Sequence, residues 1–545
     1  MAKHKPKFIF VVGGVMSSVG KGVTSASIGR IMLAKGLSAT AIKADPYINL
    51  DAGTMNPTEH GEVFVTEDKD ETDQDIGNYE RFLNTDILSV NYMTTGRVYD
   101  SVIRKERNLE YNGECVEVVP HIPEEIIRRI KKAQRTAKAD VTIIEIGGTV
   151  GEYQNILFLE AARMMHLKNP EDVAFVLVSY LPIPARVGEM KTKPTQSAAR
   201  TLNSAGISAD FIIARATRPL DKKRRQKLAT FCGITEQNAI SAPDIDVIYK
   251  IPQILEKQKL GDKLLEQLHM RPRKTNMENW NKMVRKITSS EQELKIGVVG
   301  KYFGTGDFTL ADSYISVIEA IRHASWASNR KPVLTWIDSE AYQKNPAKLK
   351  ELAKFDGVIV PGGFGTRGVE GIIKAIQYVR ENKIPYLGLC YGMQLAMIEI
   401  ARNKAGLVNA NTVEMDPDSA DPIIHINPFQ ATNVRENRYG GTMRLGAYDC
   451  KIKPGTLAHK AYNKLTISER HRHRYEFNNK YREILEQSGV VFSGVNPEQD
   501  LVEIAEVSDH PWFVGTQFHP EFKSRPLDPH PLYLDFVKAC IKHSK

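Results

Sequence analysis

The sequence predicts an α/β protein with two doubly wound, mostly parallel sheets, and three observations carry that expectation. Short apolar runs alternate with helical segments through both halves of the chain, the pattern of strands covered on both faces. A polar, basic stretch from Met270 to Glu293 divides the two series. In each half a glycine-rich or sharply turning motif follows directly on a strand, at the edge where open α/β sheets place their sites.

The first element is the run Phe8 to Val12, followed by a glycine loop and a helical segment from about Thr24 to Lys35 that Gly36 stops. Further strands are expected at Val141–Ile146, Val173–Leu181 and Phe211–Ala214. These make an N-terminal domain over residues 1–269. Residues 270–293 read as an interdomain linker with one amphipathic helix around Trp280 to Ile287. A C-terminal domain, residues 294–545, begins with a strand at Leu294–Val299 and continues with strands at Val333–Ile337, Gly357–Val360 and Tyr386–Leu389. Helical segments intervene at Ala311–Ala324 and Val369–Glu381. The chain of 545 residues is too long for one core, and about 150 residues per domain allows two to four.

Composition narrows the function classes. A hydrophobic content of 42% with 26% charged residues is that of an ordinary globular protein. The net charge of +9 suits a solvated basic surface as well as a nucleotide. The cluster Arg271-Pro-Arg-Lys274 stands alone, which speaks against nucleic-acid binding. Five cysteines without a C-x-x-C pair argue against a disulfide framework or zinc site and favour a reducing compartment. The apolar run Val173–Leu181 is far short of the ~20 residues that span a bilayer. The expectation is a cytoplasmic protein without membrane or nucleic-acid partners.

Chemistry is concentrated in a few motifs. Ile384-Pro-Tyr-Leu-Gly-Leu-Cys390-Tyr-Gly-Met-Gln394 runs from strand through tight turn to helix and would expose Cys390 at the sheet edge. Thiolate is the attacking form of cysteine, and a helix N-terminus favours an anion. Taken alone, Cys390 reads equally well as a buried strand-end cysteine. Two segments break the tie. Val360-Pro-Gly-Gly-Phe-Gly365 offers backbone N–H groups for an oxyanion hole. Gln517-Phe-His519-Pro-Glu521 places a base two residues from a carboxylate, which in an extended segment puts both on one side. The set P-G-G-F-G, G-x-C-x-G and H-P-E resembles the class I triad glutamine amidotransferases. That resemblance implies catalysis by Cys390, His519 and Glu521, and glutamine contacts from Gly363, Tyr391, Gly392, Met393, Gln394, Glu414 and Arg474.

In the N-terminal half, Val12-Gly-Gly-Val-Met-Ser-Ser-Val-Gly20-Lys21-Gly22 is a phosphate-loop variant, with Lys21 as the cation and Gly22 where Ser or Thr would hold magnesium. By itself a generic glycine turn is nearly as good a reading. Carboxylates for the metal must then come from Glu71-Thr-Asp73-Gln-Asp75 and from Glu145, at the end of an apolar strand where a charge needs a partner. These segments, with Lys43-Ala-Asp-Pro-Tyr-Ile-Asn49, His60-Gly-Glu-Val-Phe-Val-Thr-Glu-Asp68, Glu145-Ile-Gly-Gly-Thr-Val-Gly151 and Lys191-Thr-Lys-Pro-Thr-Gln196, resemble the CTP synthase family across essentially the whole chain.

The resemblance implies a P-loop-like synthetase domain followed by a glutamine amidotransferase domain, which together aminate UTP to CTP through a 4-phosphorylated UTP. ATP would contact Ser18, Val19, Gly20, Lys21, Gly22, Val23, Lys43, Asp75, Arg215, Pro243, Asp244 and Ile245. UTP or CTP would contact Ser17, Glu152, Tyr153, Gln154, Lys191, Thr192, Lys193, Pro194, Thr195, Gln196 and Lys227. Asp75 and Glu145 would bind Mg2+, and His60 would lie near an ammonia passage. GTP as activator and a homotetramer are further implications. The chain departs from the family's usual Asp-Ile-Glu at Glu152-Tyr153-Gln154, which puts the strength of CTP feedback in question. A second reading sends the ammonia to an ATP-activated carboxylate. The segments Lys191–Gln196 and Asp45–Asn49 argue against it, and intact Cys390, His519, Glu521 and Lys21 argue against a purely structural polymer.

Overall fold

The computed structural model describes residues 5–301, 304–305, 308–309, 311–427 and 442–544. It divides into two compact units, Met1–Ala52 with Asp75–Val284, and Gly53–Gln74 with Arg285–Lys545.

The first unit is built on strands β1 (Lys7–Gly14), β2 (Ala39–Asp45), β3 (Tyr92–Thr94), β4 (Val141–Ile146), β5 (Val173–Tyr180), β6 (Phe211–Ala216) and β7 (Ala239–Pro243). They pair in the order β3-β2-β4-β1-β5-β6-β7, every pair parallel. Every residue of β1 and β4 is buried, which is why both are largely apolar, with Lys7, Thr142 and Glu145 as the polar exceptions. The chain leaves β1 toward one side of the sheet and returns on the other through β5. The glycine loop after β1 therefore sits at the switch point, where open sheets bind ligands. Helix α1 (Lys21–Ala34) starts there, one turn earlier than periodicity suggests, because polar Lys21 and Gly22 belong to it.

The second unit holds β8 (Glu293–Gly300), β9 (Lys331–Asp338), β10 (Gly357–Val360), β11 (Tyr386–Leu389), β12 (Arg444–Ile452), β13 (Thr466–His473), β14 (Val490–Val495), β15 (Val502–Val507) and β16 (Phe513–Thr516). The order is β9-β8-β10-β11-β16-β15-β14-β12-β13. The stretch from β9 to β16 is parallel, and β15, β14, β12 and β13 extend it with antiparallel pairs. The antiparallel wing escapes a reading based on apolar runs, since β13 (TISERHRH) is mostly polar.

Two boundaries differ from the sequence expectation. Residues 53–74 group with the second unit although their neighbours on both sides belong to the first. They carry a short hairpin, Phe64–Val65 with Glu71–Thr72, whose Phe64 ring packs against Phe522. The expected linker is also firmly anchored at its start. In its helix, Glu278–Ser289, Trp280 has no exposure, donates to the Tyr249 carbonyl at 2.8 Å and contacts Phe82. Trp280→Ala is expected to destabilise the first unit by about 3–5 kcal/mol. Thermal unfolding should show this as a lower midpoint, and an unchanged midpoint would mean the helix adds nothing to that core.

Candidate active site

Cys390 caps the helix Tyr391–Asn403 with backbone angles φ 49°, ψ −97°, a conformation rare outside glycine. Its N–H donates to the Thr516 carbonyl at 2.6 Å. The flanking glycines are a steric requirement. A methyl group on Gly388 would lie 2.8 Å from the Tyr386 hydroxyl, and one on Gly392 only 2.3 Å from the Val360 carbonyl oxygen. Strand β11, turn and helix are thus pressed onto β10, and the sulfur is presented at the sheet edge.

His519 and Glu521 reach this sulfur from the loop after β16. The His519 Nδ1–Glu521 Oε1 distance is 2.7 Å, and the His519 N–H donates to the Arg470 carbonyl at 2.8 Å. The segment is not extended as expected. His519 precedes a 3-10 turn, Pro520–Lys523, opened by Pro520, and the turn brings Glu521 back under the imidazole. The ring stacks on Phe522, and a methyl on Gly362 would approach His519 Cε1 to 2.9 Å. Burial alone would push the imidazole down, but the Glu521 carboxylate and the hydrogen-bonded Cys390 sulfur push it up to about 10. Such an imidazole can hand a proton to a leaving amine beside the nucleophile.

Two cavities meet at Cys390. One, of about 630 Å³, is bordered by Gly53–Pro57, Gly363, Tyr391, Gln394, Glu414, Arg472 and Arg474. Within it Glu414 accepts from the Gly365 N–H at 2.7 Å, and Arg474 Nη1 donates to Thr442 Oγ1 at 2.8 Å. Burial raises the Glu414 carboxyl against the lowering effects of Gly365 and Lys301. A carboxylate and a guanidinium in one cavity match the two charges of a free amino acid. The smaller cavity, about 130 Å³, lies beyond His519 and is bordered by Asn56, Pro57, Glu62, Val63, Tyr314 and Phe522. Of the expected glutamine contacts, Gln394 borders this cavity while its side chain donates to the Tyr475 carbonyl and to Gln517, and the Met393 side chain is buried against Gly515.

In the first unit, Lys21 Nζ donates to the Gly148 carbonyl at 2.8 Å, and Gly20 (φ 89°) and Ser18 (φ 53°) supply the left-handed turns of the loop. The position of Gly22 is explained by Asp75, since a methyl there would fall 1.9 Å from its Oδ1. The Asp75 carboxylate fills the place of the missing Ser or Thr. Lys43 Nζ lies 2.5 Å from Asp75 and 3.2 Å from Glu145, and Tyr79 donates to the other oxygen of Glu145. Burial works against the Asp75 charge, but Lys43 and Asn78 hold its carboxyl low. Burial, and then the Asp75 charge, push Glu145 up to about 7. Among the described residues no group of three or more His, Cys, Asp or Glu is arranged to hold a metal alone. Two converging carboxylates fit magnesium, which takes one or two of them plus phosphate oxygens and water. Glu71 does not join this site; it pairs with Arg472 at 2.8 Å in the second unit.

Other residues that the sequence predicts at the nucleotides lie around the same sheet edge. Arg215 comes within 3.1 Å of a methyl position on Gly20 and pairs with Asp244 at 2.8 Å. Lys191 pairs with Glu189 at 2.8 Å, and Arg224 reaches the same carboxylate. Thr195 is wholly buried and accepts from Ser179, so its side chain anchors the helix Lys193–Ser204. Glu152 accepts from the Thr149 N–H at 3.0 Å, and Tyr153 is 95% exposed. Sequence reasoning missed Gln517, whose Nε2 is 3.5 Å from Cys390 Sγ, and Tyr79. Gln517 stands two residues before His519, in the same segment as the H-P-E motif, and had a signal; Tyr79 had none.

A cysteine with histidine and glutamate on one sheet, and a phosphate-loop fold on the other, define a glutamine amidotransferase joined to a nucleotide-dependent ligase. The family model described as CTP synthase N-terminus matches residues 7–270, and that for glutamine amidotransferase class-I matches residues 309–539. Among relatives, the CTP synthase of Carboxydothermus hydrogenoformans is 50% identical over 99% of both chains. That of Thermococcus gammatolerans is 49% identical over 98% of both. The chain belongs to the CTP synthase family. It is a glutamine-dependent ligase that aminates UTP to CTP, and family membership implies ATP as a substrate together with Mg2+. Among the described residues no helix is long and apolar enough to cross a membrane.

The raised Glu145 makes a pH prediction. Between the ordinary value of 4.5 and about 7, the native state holds a proton that the unfolded chain has lost. Stability from this group therefore drains as pH rises toward 7. Glu145→Gln is expected to flatten that part of the pH–stability profile, and to match or exceed wild-type stability at pH 8. Thermal midpoints at pH 5 and 8 test it; an undiminished slope would assign the loss to other groups.

Proposed function

We propose that Cys390 is the nucleophile of glutamine hydrolysis and that its ammonia serves a 4-phosphorylated UTP formed in the first unit. The observation that carries this is His519, held between the Cys390 sulfur and the Glu521 carboxylate where two cavities meet. Glu414 and Arg474 hold the ammonium and carboxylate of glutamine in the larger cavity. The sulfur attacks the carboxamide carbon, and the Gly362–Gly363 backbone faces the oxygen that gains charge. His519 protonates the departing ammonia. It then takes a proton from the water that cleaves the thioester to glutamate, while Glu521 keeps the ring oriented.

In the first unit, ATP lies along Ser18 to Val23, with Arg215 and Pro243 to Ile245 at the adenine. UTP lies against Ser17, Glu152 to Gln154, Lys191 to Gln196 and Lys227. Lys21 and Lys43 stabilise the charge as the γ-phosphoryl passes to uracil O4. Magnesium, held by Asp75 and Glu145, supplies further neutralisation of the phosphates when bound. Ammonia attacks C4, and inorganic phosphate leaves to give CTP. The cavity past His519, near His60, suits the start of the ammonia route. GTP as activator, a homotetramer and a cytoplasmic location complete the proposal, and the exposed Tyr153 and Ile156 offer apolar surface for a neighbouring copy.

The test is CTP formation from UTP, ATP and magnesium with either nitrogen source. Cys390→Ala is expected to lower the glutamine-driven rate by at least about 1000-fold and to leave the ammonia-driven rate intact. Glutamine-driven synthesis surviving in this variant would reject Cys390 as nucleophile.

A further inference from the structure

Residues 53–74 meet strand β13 through two parallel grips. Arg470 Nε donates to Glu67 Oε2 at 2.8 Å and its Nη1 to the Val65 carbonyl at 3.0 Å. Arg472 Nε donates to Glu71 Oε1 at 2.8 Å and its Nη2 to the Gly53 carbonyl at 3.3 Å. Lys523, two residues after Glu521, also reaches Glu67, at 3.1 Å. Glu71 is buried, and among the described residues its Oε2 has no hydrogen-bond partner. A methyl on Gly53 would come within 2.1 Å of that oxygen. This carboxylate therefore has little room to move and a strong need for its one cation.

The carbonyls of the same two arginines touch the candidate catalytic residues. Arg470 accepts the His519 N–H at 2.8 Å, and the Arg472 carbonyl lies 4.0 Å from Cys390 Sγ. Residues two apart on a strand point their side chains to one face and their carbonyls to one edge. The side chains that grip the 53–74 segment and the carbonyls that rest on His519 and Cys390 thus belong to one rigid piece of backbone.

We infer that Arg470 and Arg472 are positioning residues for glutamine hydrolysis, and that Glu67 and Glu71 set them. The hairpin, an excursion of the synthetase half of the sequence, then aligns the sulfur and imidazole of the other half. This rests on Cys390 being the nucleophile. Neither carboxylate touches the reacting atoms, so neutralising them should change alignment without removing a chemical group.

The experiment uses the full-length double variant Glu67→Gln/Glu71→Gln, with Glu71→Gln alone as the milder form should the double variant be insoluble. Glutamine-driven kcat is expected to fall by about 10-fold or more, since small misplacements of reacting groups are that costly. KM for glutamine and the ammonia-driven rate should hold, and alkylation of Cys390 by iodoacetamide should slow. Glu71→Asp, which keeps the charge, should restore part of kcat. Three results would overturn the inference: wild-type kcat, glutamine- and ammonia-driven rates falling together, or a change confined to KM. Cys390→Ala in the same assay separates the two ideas. Glutamine-driven activity in that variant would remove the nucleophile assignment, whereas its loss beside a wild-type double variant would remove only the positioning role.

Discussion

The close approach of Gly392 to the Val360 carbonyl governs the geometry around Cys390. No side chain fits between them, so the helix Tyr391–Asn403 begins hard against β10 and Cys390 is forced into a left-handed backbone. Such a residue costs on the order of 1–3 kcal/mol. The surroundings over-determine it through the Cys390 N–H to Thr516 bond and the second tight contact at Gly388. Once the sulfur is fixed there, His519 can reach it only from the loop after β16, with Gly362 and Phe522 closing on its two faces.

Charge plays the corresponding part in the phosphate-loop unit. Lys43 is shared between Asp75 and Glu145, and one ammonium cannot satisfy two carboxylates equally. Asp75 stays low and Glu145 rises to about 7, so the site is built with an excess of negative potential. Two such carboxylates fit a divalent cation with its phosphates. Lys21 carries the opposite sign close enough to Glu145 and Asp75 to feel both charges. Lys21, Lys43, Asp75 and Glu145 thus stand together before any ligand arrives.

Much of both sites was legible in the chain. The runs at Val141–Ile146, Gly357–Val360, Tyr386–Leu389 and Val369–Glu381 became elements with those bounds. Glycines at fixed offsets from Cys390 and Lys21 signalled tight backbone, and backbone geometry is a local property. The antiparallel wing was hidden because β13 carries charge on a buried strand, where its arginines and histidines find partners from distant residues. The 3-10 turn at Pro520 was hidden because i and i+2 residues can meet through a turn as well as along a strand.

The sequence by itself determined the order of the motifs, the tight turn at Cys390, the glycine loop before Lys21 and the family to which they belong. These depend on residue identity at short spacing. Only the tertiary structure decided that Gly22 makes room for Asp75, that Glu71 belongs with Arg472 rather than with the metal site, and that residues 53–74 join the second unit. Each of these depends on which charge or carbonyl a distant strand delivers, and a carboxylate four residues from Asp75 carries no mark of where it will point.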